Sequence, residues 1–129
     1  MKTRSDVGLS RRERQIMDIV YTRSEASVAE VHQAIQDRPS YSAVRALMRI
    51  LEEKGHLRHK EEGIKYIYLP VRSREEASKS AAKRLLDTFF DGSAQKAVAA
   101  MLEVSETKLS RQQMDDIAKL IERARKDGR

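Results

Sequence analysis

A chain of 129 residues suffices for one modest domain, or for a small domain with a helical extension. Charged residues make up 36% of it, no apolar run approaches the ~18 residues of a membrane span, and no apolar segment follows the first residues as in a secretory signal. Cysteine is absent, which excludes disulfides and thiolate metal sites. We therefore expect a cytoplasmic protein that does not bind a membrane.

The net charge of +6 and the pI of about 9.7 suit a polyanionic partner such as nucleic acid. The excess is larger toward the N-terminus, because 14 basic and 10 acidic residues lie up to Arg72, against 12 and 10 beyond it. A nucleic-acid contact is therefore expected before Arg72.

Two capping boxes predict the first two helices. Each pairs a serine N-cap with a glutamate three residues later: Ser10 with Glu13, and Ser27 with Glu30. The predicted helices run to about residues 23 and 37, and residues 1–8 before them are expected to be disordered. Their inward stripes are Ile16, Ile19 and Val20 in the first helix, and Val28, Val31 and Ile35 in the second.

The stretch from Ser40 to Gly55 predicts a third helix, which the rest of the chain serves to position. Its apolar side chains fall at helical spacing on one face: Val44, Leu47, Met48 and Leu51. The opposite face carries short side chains and two arginines: Ser42, Arg45, Ala46 and Arg49. The short connection to the preceding helix is typical of a helix-turn-helix, whose second helix can lie in a major groove.

After Gly55 the pattern becomes alternating, which predicts strands over residues 57–60 and 64–69 with Glu61-Glu62-Gly63 as the turn and Pro70 as the end. The first 71 residues are thus predicted to hold a winged helix-turn-helix over residues 9–71. The fold class is mainly α with a small β-hairpin wing.

Residues 72–129 predict three amphipathic helices that form a dimerisation domain. The first starts at the capping box of Ser73 and Glu76, ends at Asp91-Gly92, and turns Ala82, Leu85, Leu86 and Phe89 inward. The three stripes are larger than this segment can bury alone, so a second copy of the chain is the simplest partner. The predicted dimer interface comprises Leu85, Leu86, Phe89, Phe90, Val98, Met101, Leu102, Met114, Ile117, Leu120 and Ile121.

The candidate DNA contacts are Arg11, Arg12, Ser40, Tyr41, Ser42, Ala43, Arg45, Arg49, Lys60 and Lys65. A simpler interpretation exists for several of them. The arginines would be solvated surface residues, Ser40 would cap the helix, Ser42 would lie in its first turn and Tyr41 would cover the start of the helix. On the wing, Glu61 and Glu62 would repel phosphate, which opposes a contact by the two lysines.

No enzyme activity, metal or cofactor is expected. His56 and His59 are three residues apart, but His32 lies on another helix and no third ligand is assured. A glycine-rich phosphate loop, a nucleophile elbow and a supported acid–base pair are all missing from the sequence.

With these elements in order, the chain resembles the penicillinase-repressor (BlaI/MecI/CopY) family of winged-helix transcriptional regulators, from about residue 9 to residue 125. The resemblance rests on the order and spacing of five motifs: Leu9-Ser10-Arg11-Arg12-Glu13, Val44-Arg45-Ala46-Leu47-Met48-Arg49-Ile50-Leu51-Glu52-Glu53-Lys54-Gly55-His56-Leu57, Tyr66-Ile67-Tyr68-Leu69-Pro70, Phe89-Phe90-Asp91-Gly92-Ser93 and Leu109-Ser110.

The resemblance implies a homodimer that binds a dyad-symmetric DNA operator and represses the downstream promoter by occlusion. It places the base-reading segment on Ser42, Ala43 and Arg45, although family members often have Lys-Thr in place of Ser42-Ala43. The cysteine metal sites of copper-responsive members are missing. Resistance repressors of the family are cleaved at an Asn-Phe bond. The matching pair here is Ala100-Met101, which gives no support to induction by cleavage, so the inducing protease or upstream sensor stays unidentified.

Two other functions fit the same elements. The chain could be a winged-helix adaptor whose C-terminal helices bind a different protein, or a nucleoid protein that binds DNA without sequence preference. The short side chains beside Arg45 and Arg49 favour sequence-specific recognition, because they let the helix approach base edges.

Overall fold

The computed structural model describes residues 8–105 and 107–128 of the chain. They form two compact units, the first ending at Arg84 and the second beginning at Leu85. Of the tail predicted to be disordered, residues 1–7 lie outside the described residues. The functional boundary predicted between residues 71 and 72 stays a prediction.

The first unit combines three short helices with a small sheet. Its elements are α1 (Arg11–Arg23), β1 (Ala26–Ser27), α2 (Val28–Ala34), α3 (Tyr41–Glu53), β2 (Leu57–Glu62) and β3 (Lys65–Pro70), followed by the start of α4 (Arg74–Phe89). The sheet is antiparallel in the order β1-β3-β2, with Ala26 opposite Tyr68 and Leu57 opposite Pro70. Three helices with a β-hairpin confirm the predicted winged-helix architecture.

Serine caps start the helices as the sequence predicts. The Ser10 hydroxyl accepts a hydrogen bond from the Glu13 N–H at 3.1 Å, and the Glu13 carboxylate accepts one from the Ser10 N–H at 2.7 Å. The same reciprocal pair joins Ser27 to Glu30. At α4, the Ser73 hydroxyl accepts from the N–H of the residue three positions later at 3.1 Å. These bonds satisfy N–H groups that a helix start leaves without partners.

The core of the first unit lies between the three helices and the sheet. Val44, Met48 and Leu51 on α3 are completely buried, and Leu47 is partly buried against them. They pack in one cluster with residues of every other element of the unit up to β3: Ile16, Met17, Val20, Ala26, Val28, Val31, Ile35, Leu57 and Tyr68. This packing fixes which side of α3 faces outward.

An ion pair with a buried carboxylate joins α1 to the end of α3. The Lys54 ammonium donates to both carboxylate oxygens of Glu13, at 3.1 and 2.9 Å, and to the Gly8 carbonyl at 2.9 Å. Burial by itself raises the pKa of Glu13, but the hydrogen bonds from Ser10 and Lys54 outweigh burial and hold this pKa below its usual value. Glu13 is therefore ionised in the fold and depends on Lys54.

Two predicted boundaries are wrong. The second helix ends at Ala34 rather than near Asp37, because Ile35 takes an extended conformation and the carbonyls of Gln36 and Asp37 accept hydrogen bonds from Arg12 instead. The hairpin turn is two residues long, and Glu61-Glu62 belong to β2 rather than to the turn. Gly63, with φ of +64°, begins this turn as short hairpins require.

The strand β1 has no counterpart in the sequence-based prediction. It is two residues long and exists through its pairing with β3, where Ser27 lies opposite Ile67. Ser27 is also the N-cap of α2, so the sheet and the second helix share one residue.

The second unit contains the helices α5 (Ala94–Val104) and α6 (Arg111–Lys126). α4 ends where Asp91 and Gly92 take positive φ values, and the Gly92 N–H donates to the Leu86 carbonyl at 2.9 Å. A capping box of Ser110 and Gln113 starts α6.

Most apolar side chains of these helices are not buried within one chain. The prediction that Ala82, Leu85, Leu86 and Phe89 face inward is wrong for the single chain, because α4 holds no buried residue and Phe89 is 72% exposed. In the second unit, Ala97 is the one buried hydrophobic residue among those described. None of the helices in the described ranges is long and apolar enough to cross a membrane.

We expect Lys54→Met to lower the free energy of unfolding by about 1–3 kcal/mol at pH 7, because it leaves the Glu13 carboxylate buried without its cation. Since the pKa of Glu13 is lowered in the fold, the pair stabilises the protein above the ordinary carboxyl pKa of about 4.3, and this contribution disappears as the pH falls through the lowered value. The difference between variant and wild type should therefore shrink in acid.

Urea unfolding at several pH values measures this effect. The matched control is Lys79→Met, whose pairing with Glu75 is exposed and should contribute little. If the two variants lowered the free energy of unfolding equally at pH 7, the stabilising role of the pair between Lys54 and Glu13 would be contradicted.

Candidate nucleic-acid interface

The outward face of α3 is the candidate interface. The Ser40 hydroxyl starts the helix by accepting from the Ala43 N–H at 3.1 Å. Opposite the core, the helix lines one open depression with Tyr41, Ser42, Arg45, Ala46, Arg49, Ile50 and Glu53. Ser42, Arg45, Ala46 and Arg49 are all exposed, as the helical spacing predicts. This surface therefore offers two cations and two short side chains to an approaching molecule.

The guanidinium groups of Arg45 and Arg49 keep their charge available. Within residues 8–105 and 107–128, neither forms an ion pair with a carboxylate. Glu53 is the acid at the far end of the depression. An unpaired guanidinium can donate two hydrogen bonds to guanine O6 and N7, or bind phosphate. The arrangement is thus chemically suited to a DNA groove.

Tyr41 stands at the entrance to α3. Its ring lies edge-on to His32, with 5.8 Å between ring centroids, and the His32 Nε2 lies 3.0 Å from the Pro39 carbonyl oxygen. Tyr41 nevertheless remains 48% exposed. It therefore both covers the start of the helix and presents its ring to solvent. Ala43 is only partly exposed and does not line the depression.

The base of the wing is fastened to α3. The Nδ1 atom of His59 on β2 lies 2.6 Å from a carboxylate oxygen of Glu52. The imidazole ring of His59 also stacks on the ring of Tyr66 in β3, with 4.0 Å between the ring centroids. The contact between His59 and Glu52 connects the hairpin to α3, whereas the stacked rings of His59 and Tyr66 join β2 to β3 within the hairpin. The wing and the depression on α3 both belong to the first unit.

The two lysines of the wing differ in their surroundings. Lys60 lies 3.3 Å from the Glu25 carboxylate and 3.9 Å from that of Glu62, so its charge is partly neutralised. Lys65 is exposed, and its ammonium has no carboxylate partner within the described part of the chain. Lys65 is therefore the better placed of the two for a phosphate contact.

Arg11 and Arg12 also differ, although they are adjacent in sequence. Arg12 donates to the carbonyls of Gln36 at 2.7 Å and Asp37 at 3.5 Å, and to the Gln15 side chain at 3.0 Å. Arg11 is exposed on the first turn of α1. Arg12 thus connects α1 to the turn before α3, whereas Arg11 has no hydrogen-bond or ion-pair partner among the described residues.

Sequence reasoning missed the fully exposed Ile64 at the tip of the wing and the contact of His59 with Glu52. The exposure of Ile64 could have been predicted from the sequence. Gly63 is suited to the first position of a two-residue hairpin turn, and Ile64 then occupies the second position of that turn. The contact of His59 with Glu52 joins residues on different elements, and the sequence carries no local signal for such a contact.

The fold is that of a winged-helix protein, and its third helix exposes two arginines. Residues 9–123 match the family model described as penicillinase repressor. The chain belongs to this family, and its members are transcriptional regulators that repress by binding DNA, not enzymes. A comparison with curated proteins gave no match.

We expect Arg12→Ala to lower the free energy of unfolding by about 1 kcal/mol, because it removes the hydrogen bonds between α1 and the turn after α2. Arg11→Ala is the matched control, and its effect should stay within about 0.5 kcal/mol. Urea unfolding followed by circular dichroism compares the two. If Arg11→Ala were the more destabilising of the two variants, the conclusion that Arg12 rather than Arg11 stabilises the fold would be wrong.

Proposed function

We propose that this chain is a sequence-specific repressor that binds a dyad-symmetric operator as a homodimer and blocks the promoter by occupying it. The observation that carries this proposal is the exposed face of α3, where Arg45 and Arg49 have no carboxylate partner within the described residues. On the opposite face Val44, Met48 and Leu51 are completely buried. A helix held in this way can enter a major groove with its arginines toward the bases.

The proposal gives each part of the surface a different task. Arg45 and Arg49 contact bases or phosphates, and Ser42 and Ala46 allow a close approach because they are short. Lys65 on the wing and Arg11 on α1 contribute contacts to the backbone, which fix the position of the protein on the duplex without selecting a sequence. Lys60 has a smaller part, since Glu25 and Glu62 already neutralise it in part.

The homodimer is supported by the apolar surface that the second unit leaves exposed. Val98, Met101, Leu102, Met114, Leu120 and Ile121 are each about half exposed, and Ala97 is buried. Amphipathic helices whose apolar side chains stay exposed need a partner that covers them. A second copy supplies a matching surface by symmetry, and a two-fold dimer presents two recognition helices to the two half-sites of a dyad.

The DNA contacts predict distinct effects for two variants on the protein's own promoter. Arg45→Ala should weaken operator binding by about 1–3 kcal/mol and relax the preference at one base position. Lys65→Ala should weaken binding to all sequences alike and lower the slope of log affinity against log salt by about 1. A DNase footprint locates the operator, and gel shifts over a range of salt concentrations measure both effects.

Arg111→Ala on α6 is the control, because it removes the same charge far along the chain from α3 and should leave affinity unchanged. A protected dyad with half-sites one helical turn apart, or a multiple of it, supports the proposal. An even digestion ladder, displacement by any competitor DNA, or wild-type binding by Arg45→Ala would contradict sequence-specific recognition through α3.

The dimer predicts that light scattering gives about twice the 14.8 kDa mass of one chain. Leu102→Glu should produce a monomer, because it places a charge within the exposed apolar face of α5. Gln95→Glu adds a charge to an exposed polar position of the same helix and should leave the dimer intact. A monomeric wild type would contradict the dimer and favour a different protein as the partner of these helices.

A further inference from the structure

A cavity of about 460 Å³ lies within the first unit, away from the exposed face of α3. It is bounded by α1, by the segments around His56 and Arg72, and by the part of α4 that precedes Leu85. Its volume is in the range of sites that bind small molecules. None of its lining residues is shared with the depression on α3.

One part of the cavity wall is apolar and firmly held. Met17 and His56 are 5% exposed, and Met17 belongs to the core of the unit. Leu9 packs against the same core, and the methyl groups of Ala77 and Ala81 face the cavity from α4. The apolar part of a ligand would be buried against these side chains with a favourable free energy.

The rest of the wall is strongly basic. Four arginines line it, namely Arg14, Arg72, Arg74 and Arg84, whereas Asp18 is the one carboxylate among the lining residues. A wall with this balance of charge attracts anions, and the guanidinium group binds carboxylate or phosphate through two parallel hydrogen bonds.

Two of these arginines donate hydrogen bonds to nearby carbonyl and hydroxyl oxygen atoms. Arg74 donates to the carbonyls of Tyr21 at 2.5 Å and Thr22 at 3.2 Å and to the Ser24 hydroxyl at 3.1 Å. Arg72 donates to the Glu76 carbonyl at 3.0 Å and the Ser80 hydroxyl at 2.7 Å. Such bonds orient the two guanidinium groups.

The other two arginines lack such bonds within the described residues. Within residues 8–105 and 107–128, the side chains of Arg14 and Arg84 have no hydrogen-bond or ion-pair partner. They come from α1 and α4, the two helices that bound the cavity, so an anion between them would be contacted from two sides.

We propose that this cavity binds a small organic anion that carries a carboxylate or phosphate group on an apolar body. Arg14 and Arg84 bind the anionic group, and the surface around Met17, Ala77 and Ala81 covers the apolar body. The contacts described for the depression on α3 are not needed for this binding, so the site stands independently of the proposed DNA recognition.

Isothermal titration of the full chain with three matched probes tests the site. We expect 1-naphthoate or 1-naphthyl phosphate to bind, and the stronger of the two identifies the preferred anionic group. The neutral 1-naphthamide should bind at least about tenfold more weakly, because it cannot form charge-assisted hydrogen bonds.

The variants Arg14→Gln and Arg84→Gln should each lower the affinity for the more tightly bound of the two anions by about tenfold or more. Neither side chain has a partner in the described structure, so thermal unfolding of both variants should match that of the wild type. Arg58→Gln is the control, because Arg58 is exposed on β2 and does not line the cavity.

Three outcomes would overturn the proposal. Neither anion binds, the amide binds as tightly as the anions, or Arg58→Gln weakens binding as much as Arg14→Gln does. If the anions do not bind while Arg14→Gln and Arg84→Gln reduce DNA affinity more than Arg58→Gln, the arginines contact the DNA backbone instead.

Discussion

The direction of the exposed face of α3 depends on three side chains that have no contact with water. Val44, Met48 and Leu51 are each 0% exposed, and burial of a side chain of this size contributes about 1.5–3 kcal/mol. Rotation of the helix by one residue would bring Arg45 and Arg49 into the core, where an unpaired charge is very unfavourable. Hydrophobic packing on one side therefore fixes the position of the cations on the other.

The positive charges of the first unit serve two different purposes. Arg12 binds backbone carbonyls and so stabilises the fold, and the charge of Lys60 is partly neutralised by two nearby carboxylates. Arg45 and Arg49 have no carboxylate partner among the described residues and remain available to another molecule. Net charge alone indicated a polyanionic partner, but the location of the interface depends on which charges the protein leaves uncompensated.

The two units contain similar amphipathic helices with different outcomes. In the first unit the apolar stripes meet each other and the sheet, and they form one cluster of fully buried side chains. In the second unit stripes with the same helical spacing stay about half exposed, and Ala97 is the one hydrophobic residue buried among those described. A stripe shows that a helix needs a partner, and the fold shows whether the same chain provides it. The proposed homodimer follows from this contrast.

The sequence by itself determined the features that depend on residues within about one turn of each other. Serine caps and apolar spacing act over three or four positions, so the helix starts and the outward direction of Arg45 followed from residue order. Only the tertiary structure decided the rest. The strand β1 exists through its pairing with β3, and Arg12 binds carbonyls that lie past the early end of α2. Arg14 and Arg84 of the cavity likewise come from separate helices. Which charges stay free depends on oxygen atoms brought from distant parts of the chain, and no local pattern records those contacts.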